Sequence, residues 1–228
     1  MRILLYNDLS GPWGGVESHI QILLSELRRA GHEVKLFAFA ERLPSRRGLA
    51  GKLRFLQRSQ SYDPRLASVL RSRLHDFQPD LIHCHNNRLF TNTVCRELQS
   101  YEAPVLSSLH DHDLLDFASQ PYSLKAKIKR RQFRMIRQMS RQVSVPTRRM
   151  QQQLGRLGLP ATYLPYFLSE REWGSGFAER LDSEQIQLLY VGRMIRPKGI
   201  FRLLEALHLL VQQGYSPRLT CVGDGPDR

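Results

Sequence analysis

Between Phe117 and Ser169 the chain has no aspartate or glutamate, although eleven lysines and arginines fall there. The formal charge of +13 over 228 residues is therefore local, because the remaining residues carry 23 basic and 21 acidic side chains. Also lacking is any apolar run near the roughly 18 to 20 residues that a membrane-spanning helix needs, which leaves a soluble or peripheral protein. The start, MRILLYNDLSG, has one basic residue and a short apolar run before Asn7 and Asp8, too little for a secretory signal. The expected location is the cytoplasm, with a peripheral position on the inner face of the membrane as the alternative. Only three cysteines occur, Cys84, Cys95 and Cys221, with no Cys-x-x-Cys pair; this argues against a disulfide framework and a zinc site. Neither a Gly-x-Gly-x-x-Gly fingerprint nor a P-loop is found, which lowers the dinucleotide and NTPase readings. No solenoid-type repeat occurs.

What is there is an alternation. Arg2–Tyr6 reads as a short buried strand. It is followed by a turn-rich stretch and then by VESHIQILLSELRRAG, whose Val16, Ile20, Leu23, Leu24 and Leu27 recur at helical spacing. Gly31 closes that helix as a left-handed cap would, and HEVKLFAF is the next strand. Strand, glycine turn, helix and strand form a βαβ unit, the building block of parallel sheets with helices on both faces. The pattern continues with a helix near Asp63–Phe77, the strand DLIHCH, a helix around Asn92–Gln99 and the strand APVLSSLH. A basic helix from about Ser123 to Arg141, the strand QVSVP, the helix TRRMQQQLGRLG and the strand ATYLPY complete six strands and five helices. The expected fold is α/β: a Rossmann-like domain over 1–168, a polar linker over 169–184, and a second α/β unit over 185–228. Two strands and one helix in that second unit cannot normally bury enough surface to stand alone.

Several motifs could carry chemistry. In GPWGGVE, Gly14 and Gly15 lie between a strand and a helix start, where glycine lets a ligand approach and free N–H groups favour an anion; a plain tight turn is the competing reading. In YVGRMIRPKGI, Arg193 and Lys198 flank a short connection into a helix. An Arg fork and a Lys point charge there suit a diphosphate, against the alternative of solvated loop charges. In SSLHDHDLL, His110 falls at the carboxyl end of a strand, where open α/β sheets hold ligands; contact with a substrate and a structural hydrogen bond both remain open. A metal at His110 and His112, with Asp111 and Asp113, is disfavoured because neighbours on an extended loop point apart, and His83 and His85 sit on another strand. At about 100° per residue, Lys127, Arg130, Arg134, Arg137 and Arg141 share an arc of roughly 80° opposite Leu124, Ile128, Met135 and Met139. That basic amphipathic face would attract anionic lipid or nucleic acid, unless it is only a solvated surface.

Taken together and in this order, GGVE, DLIHCH, the LHD loop, VSVPT, YVGRMIRPKG and LTCVGDGP resemble the retaining GT-B glycosyltransferases of family 4 along nearly the whole chain. The resemblance implies transfer of a sugar from a nucleotide-diphosphate donor to a glycan or lipid-linked acceptor. It implies that Gly15 offers its N–H to the donor, that His110 contacts the donor sugar, and that Arg193 and Lys198 hold the diphosphate. No metal and no other cofactor would then be required. Two departures stand out: Tyr166 occupies the place where the family has Asn, and the family's pair of glutamates seven residues apart would lie beyond Arg228. These imply a second domain cut short, slow or no turnover by this chain, and poorly covered Leu219, Cys221 and Val222. The alternative reading is a non-catalytic remnant that binds an anionic membrane or a lipid-linked acceptor through its basic helix. A nucleic-acid-binding protein ranks below both, because no nucleic-acid module is recognised.

Overall fold

Strand β1 (Arg2–Asn7) is buried from Ile3 to Asn7, so its unbroken apolar run belongs to a central strand covered on both faces. It appears in a computed structural model that describes residues 1–10, 14–39, 57–87, 89–110, 123–168 and 186–228. Most of the basic stretch Glu41–Gln60, the linker over 169–184 and the residues Asp111, His112 and Asp113 lie outside the described residues. The chain divides into two compact units, Met1–Trp173 and Gly174–Arg228.

In the first unit β1 is followed by α1 (Gly15–Arg29), β2 (Glu33–Phe37), α2 (Pro64–Phe77), β3 (Leu81–Asn86) and α3 (Thr91–Gln99). Then come β4 (Val105–Ser108), α4 (Leu124–Met139), β5 (Gln142–Val145), α5 (Arg148–Arg156) and β6 (Thr162–Tyr163). The six strands pair in parallel in the order β2-β1-β3-β4-β5-β6. The expected α/β architecture is what forms. Alternate β1 residues go to opposite faces: Ile3 and Leu5 pack with Ile20 of α1 and Val34, while Leu4 and Tyr6 join Leu70 and Leu74 of α2 and Val94 of α3.

Local chemistry sets the helix ends. Gly31, at φ +84, donates its N–H to Arg28 O, and the His32 N–H reaches Leu27 O, which together make a Schellman turn after α1. Asp63 caps α2, its Oδ1 accepting from Arg65 N at 3.0 Å and Leu66 N at 3.2 Å, with Pro64 as the first helical residue. Ser123 and Thr147 cap α4 and α5 in the same way, accepting from Ala126 N and Met150 N.

Helix α4 departs from its expected phase. Its buried side is Ala126, Lys129, Gln132, Phe133, Ile136 and Met139, whereas Leu124 is 73% exposed and Ile128 and Met135 are half-buried. The buried face is thus turned by roughly a third of a turn from the most apolar stripe. The cause is packing against α3, where Gln132 Nε2 donates to Thr91 Oγ1 at 3.3 Å. Lys127, Arg130, Arg134 and Arg137 stay exposed, centred about 130° around the helix from that buried face. Arg141 leaves the helix altogether, because Ser140 is extended and the Arg141 N–H donates to Val105 O at the start of β4.

The second unit holds β7 (Gln187–Val191), a 3-10 turn at Arg196–Lys198, α6 (Ile200–Gln212) and β8 (Arg218–Val222), with β7 and β8 paired in parallel. Cys221 and Val222 are exposed and Leu219 is half-buried. Its turns pass close together: a Cβ on Gly223, at φ +141, would collide with Gly192 O, and one on Gly225 would collide with Met194 O. The glycines of LTCVGDGP therefore serve the fold of this unit.

Candidate functional site

The strand order reverses direction between β1 and β3, so their carboxyl ends open a crevice of the kind in which doubly wound sheets hold ligands. Asp8, just past β1, is buried; it accepts from Tyr6 Oη at 2.7 Å and from Leu89 N at 2.8 Å. Burial, and then the Asp8 charge, push the Tyr6 phenol well above its usual pKa. Asn7 donates to Leu9 O at 2.7 Å while its own Oδ1 is buried without a partner, as is Oδ1 of Asn87 beyond β3.

Four histidines gather at these strand ends. His110 follows β4, and its Nε2 lies 3.1 Å from Nδ1 of His85 on β3. On its other side, Nδ1 of His110 lies 2.8 Å from the hydroxyl of Tyr166. His83 Nε2 meets Ser108 Oγ at 2.7 Å, and Ser108 Oγ meets Ser144 Oγ at 2.6 Å, so a second chain of bonds crosses β3, β4 and β5. His19 of α1 packs against this group, its ring 4.8 Å from Tyr166 and 5.9 Å from His110. Burial lowers the pKa of His19, takes His83 down to about 3 and holds His85 well below the usual histidine range, so His83 and His85 are neutral near pH 7. Among the described residues no group of three or more His, Cys, Asp or Glu is placed to hold a metal ion.

Of the residues singled out in the sequence, Gly14 is the N-cap of α1 and Gly15 its first residue. Gly14 is extended at φ −176, and a Cβ on Gly15 would meet nothing within 4 Å, so among the described residues the fold itself does not demand glycine at position 15. His110 lies at the centre of the histidine group, with both ring nitrogens engaged. Arg193 and Lys198 are exposed in the second unit, before α6, whose N-cap Gly199 is left-handed at φ 82 and provides no side-chain cap. Lys127, Arg130, Arg134 and Arg137 are exposed along α4.

His19, His85 and Tyr166 are site residues that the motif reading did not assign. His83 and His85 looked remote from His110 because they lie on another strand. That strand is the neighbour of β4, with Ile82 opposite Val105 and His83 opposite Leu106, so the two carboxyl ends are side by side. Tyr166, read as a departure from a family pattern, instead bonds to His110.

A sequence model of Glycosyltransferase Family 4 matches residues 13–165, more than half of the chain. The chain belongs to that family. TuaC of Bacillus subtilis (strain 168), described as a teichuronic acid biosynthesis glycosyltransferase, is 28% identical over 192 residues, covering 80% of this chain and 47% of its own. This Family 4 chain thus spans about half the length of the curated relative it matches. Sucrose-phosphate synthase from Thermosynechococcus elongatus superposes with a TM-score of 0.67 at 16% identity, over 98% of this chain and 70% of that one. An alpha-glucosyltransferase described in complex with UDP and a 13-mer DNA gives 0.54 at 14% identity, over 98% and 56%. The Family 4 chain has the GT-B type of α/β fold. Among its described residues no helix is long and apolar enough to cross a membrane.

Proposed function

We propose that the chain is part of a retaining glycosyltransferase that moves a sugar from a nucleotide-diphosphate donor to a glycan or lipid-linked acceptor. The observation that carries this reading is that α1 brings both a glycine-led N-terminus, at Gly14 and Gly15, and His19 to the strand ends where His110 lies. Gly15 N–H would face a donor oxygen, and the open space at its Cα admits that approach. His110 would face the sugar. Arg193 and Lys198 would hold the diphosphate, the first as a fork and the second as a point charge. The bond from the sugar C1 to diphosphate oxygen breaks, and a bond from C1 to the acceptor oxygen forms on the same face. The cations stabilise the departing diphosphate, and the acceptor proton leaves on it. This is electrostatic catalysis by positioned charges and needs no metal in our reading.

Two cations hold phosphate without reading sugar or base, so turnover by this chain is expected to be slow and binding is the sharper readout. In UDP titrations, Arg193→Ala and Lys198→Ala should each weaken binding by about tenfold to a hundredfold, as loss of one charge-assisted contact does. UDP binding that is absent, or unchanged in both variants, would remove the reading. For the acceptor side we propose that the face of Lys127, Arg130, Arg134 and Arg137 meets an anionic surface carrying a lipid-linked acceptor, while Arg141 lies off the helix. Charge reversal at Arg130, Arg134 and Arg137 should abolish sedimentation with anionic vesicles; undiminished sedimentation makes that face a solvated one.

A further inference from the structure

Two serines fix the state of one histidine. Nε2 of His83 lies 2.7 Å from Ser108 Oγ, which lies 2.6 Å from Ser144 Oγ, and the three residues are 7%, 7% and 3% exposed. Among the described residues these are the only hydrogen bonds that the three side chains make. Each hydroxyl has one hydrogen, and His83, which burial keeps neutral, has one on its ring. If His83 donated from Nε2 to Ser108, and Ser108 to Ser144, the Ser144 hydrogen would be buried with no acceptor. If His83 and Ser144 both donated to Ser108, the Ser108 hydrogen would be stranded instead. Only when Ser144 donates to Ser108, and Ser108 to Nε2, is every hydroxyl hydrogen used. A stranded buried donor is rarer and costlier than an under-used acceptor, so this last order holds and the ring hydrogen of His83 sits on Nδ1. Nδ1 makes no hydrogen bond among the described residues, yet it is not sealed from solvent as Nε2 of His85 and Nδ1 of His19 are.

The place of that N–H matters. Leu81 of β3 packs with Ile3, Leu5 and Ile20 on the α1 side of the sheet, and alternation along the strand carries His83 to the same side, opposite Leu5 in the pairing with β1. This is the flank of the crevice on which Gly14 and Gly15 begin α1. We propose that Ser144 and Ser108 are positioning residues for His83: their hydroxyls, donating in sequence to Nε2, fix its hydrogen on Nδ1 and make His83 a hydrogen-bond donor to a phosphate oxygen bound beside the start of α1. A ring held in this way cannot turn into an acceptor, so it takes an anionic oxygen and rejects an N–H group. The free N–H groups of the helix start favour the same charge. That the phosphate belongs to a sugar nucleotide rests on the transferase reading; the order of hydrogens does not.

Long-range proton–nitrogen NMR on the whole chain with isotope-labelled histidine reads which nitrogen of each ring is protonated. His83 is expected as the Nδ1–H form, and Ser144→Ala should leave it so, because Ser108 can still donate to Nε2. An Nε2–H on His83 in the unaltered chain, or its appearance in Ser144→Ala, overturns the proposal. UDP titrations then read the outward donor. His83→Asn, whose amide nitrogen replaces Nδ1, should bind UDP within about twofold of the unaltered chain. His83→Gln, whose amide replaces Nε2 at Ser108, should bind about tenfold more weakly, as loss of one hydrogen bond does. Equal affinity of the two variants overturns the donor role. If either variant does not fold, the spectra of the unaltered chain and of Ser144→Ala still decide. These spectra use no ligand, so the order of hydrogens can fail while UDP binds, and it can hold in a chain that binds no UDP, where only the transferase reading falls.

Discussion

Leu4-Leu5-Tyr6 in β1 and Leu188-Leu189-Tyr190 in β7 are the same three residues in two strands, and they meet opposite fates. Leu5 and Tyr6 are 0% exposed, whereas Leu189 is 68% exposed. The letters specify a strand in both cases. Burial comes from neighbours: β1 lies between β2 and β3 with helices on both faces, whereas among the described residues β7 pairs with β8 and no other strand. A hydrophobic run is thus a statement about what a segment requires, and its stabilising worth depends on what the rest of the chain supplies.

The largest test of this contrast uses pH. With His83 at about 3 folded and 6.5 unfolded, the unfolded chain gains a proton first as pH falls. Stability is full above about 6.5 and is lost progressively toward pH 3, by roughly 4 to 5 kcal/mol for this group. Urea unfolding across that window should show the fall, and His83→Asn should make it shallower. Next, Leu5→Ala should cost about 2 to 5 kcal/mol in the same assay through the cavity it leaves. Amide exchange should separate the units without mutation, with β7 and β8 exchanging at least about a hundredfold faster than β1 and β3, equivalent to about 3 kcal/mol. Equal protection in both sheets would break the comparison. Asp63→Ala removes one helix cap and should cost about 1 kcal/mol. Smallest of all, Leu189→Ala should change unfolding by less than about 0.5 kcal/mol, although it makes the same substitution as Leu5→Ala.

The parts of the fold that could be read in advance are those where local chemistry and periodicity agree. The α1 stripe from Val16 to Leu27 and the left-handed Gly31 are of this kind. Helix α4 was harder, because Lys129 and Gln132 are buried there and a bond to Thr91 outweighs the more apolar stripe. For the site, His110 was visible from its place after a strand. Its partners were not, since His19, His85 and Tyr166 come from three separate elements and meet only through strand order. A parallel pairing of DLIHCH with VLSS would have placed His85 beside His110. Nothing in the letters PYFLS says that Tyr166 turns back to the sheet.

The Asp8 carboxylate holds the Leu89 N–H across 81 positions of sequence. Contacts of such long range are made late in folding, because the intervening chain must first surrender its freedom. The crevice between β1 and β3 should therefore close only after β2 and α2 have docked. A nascent chain that has emerged only as far as α2 would have every residue of the glycine turn and no place for a ligand to sit.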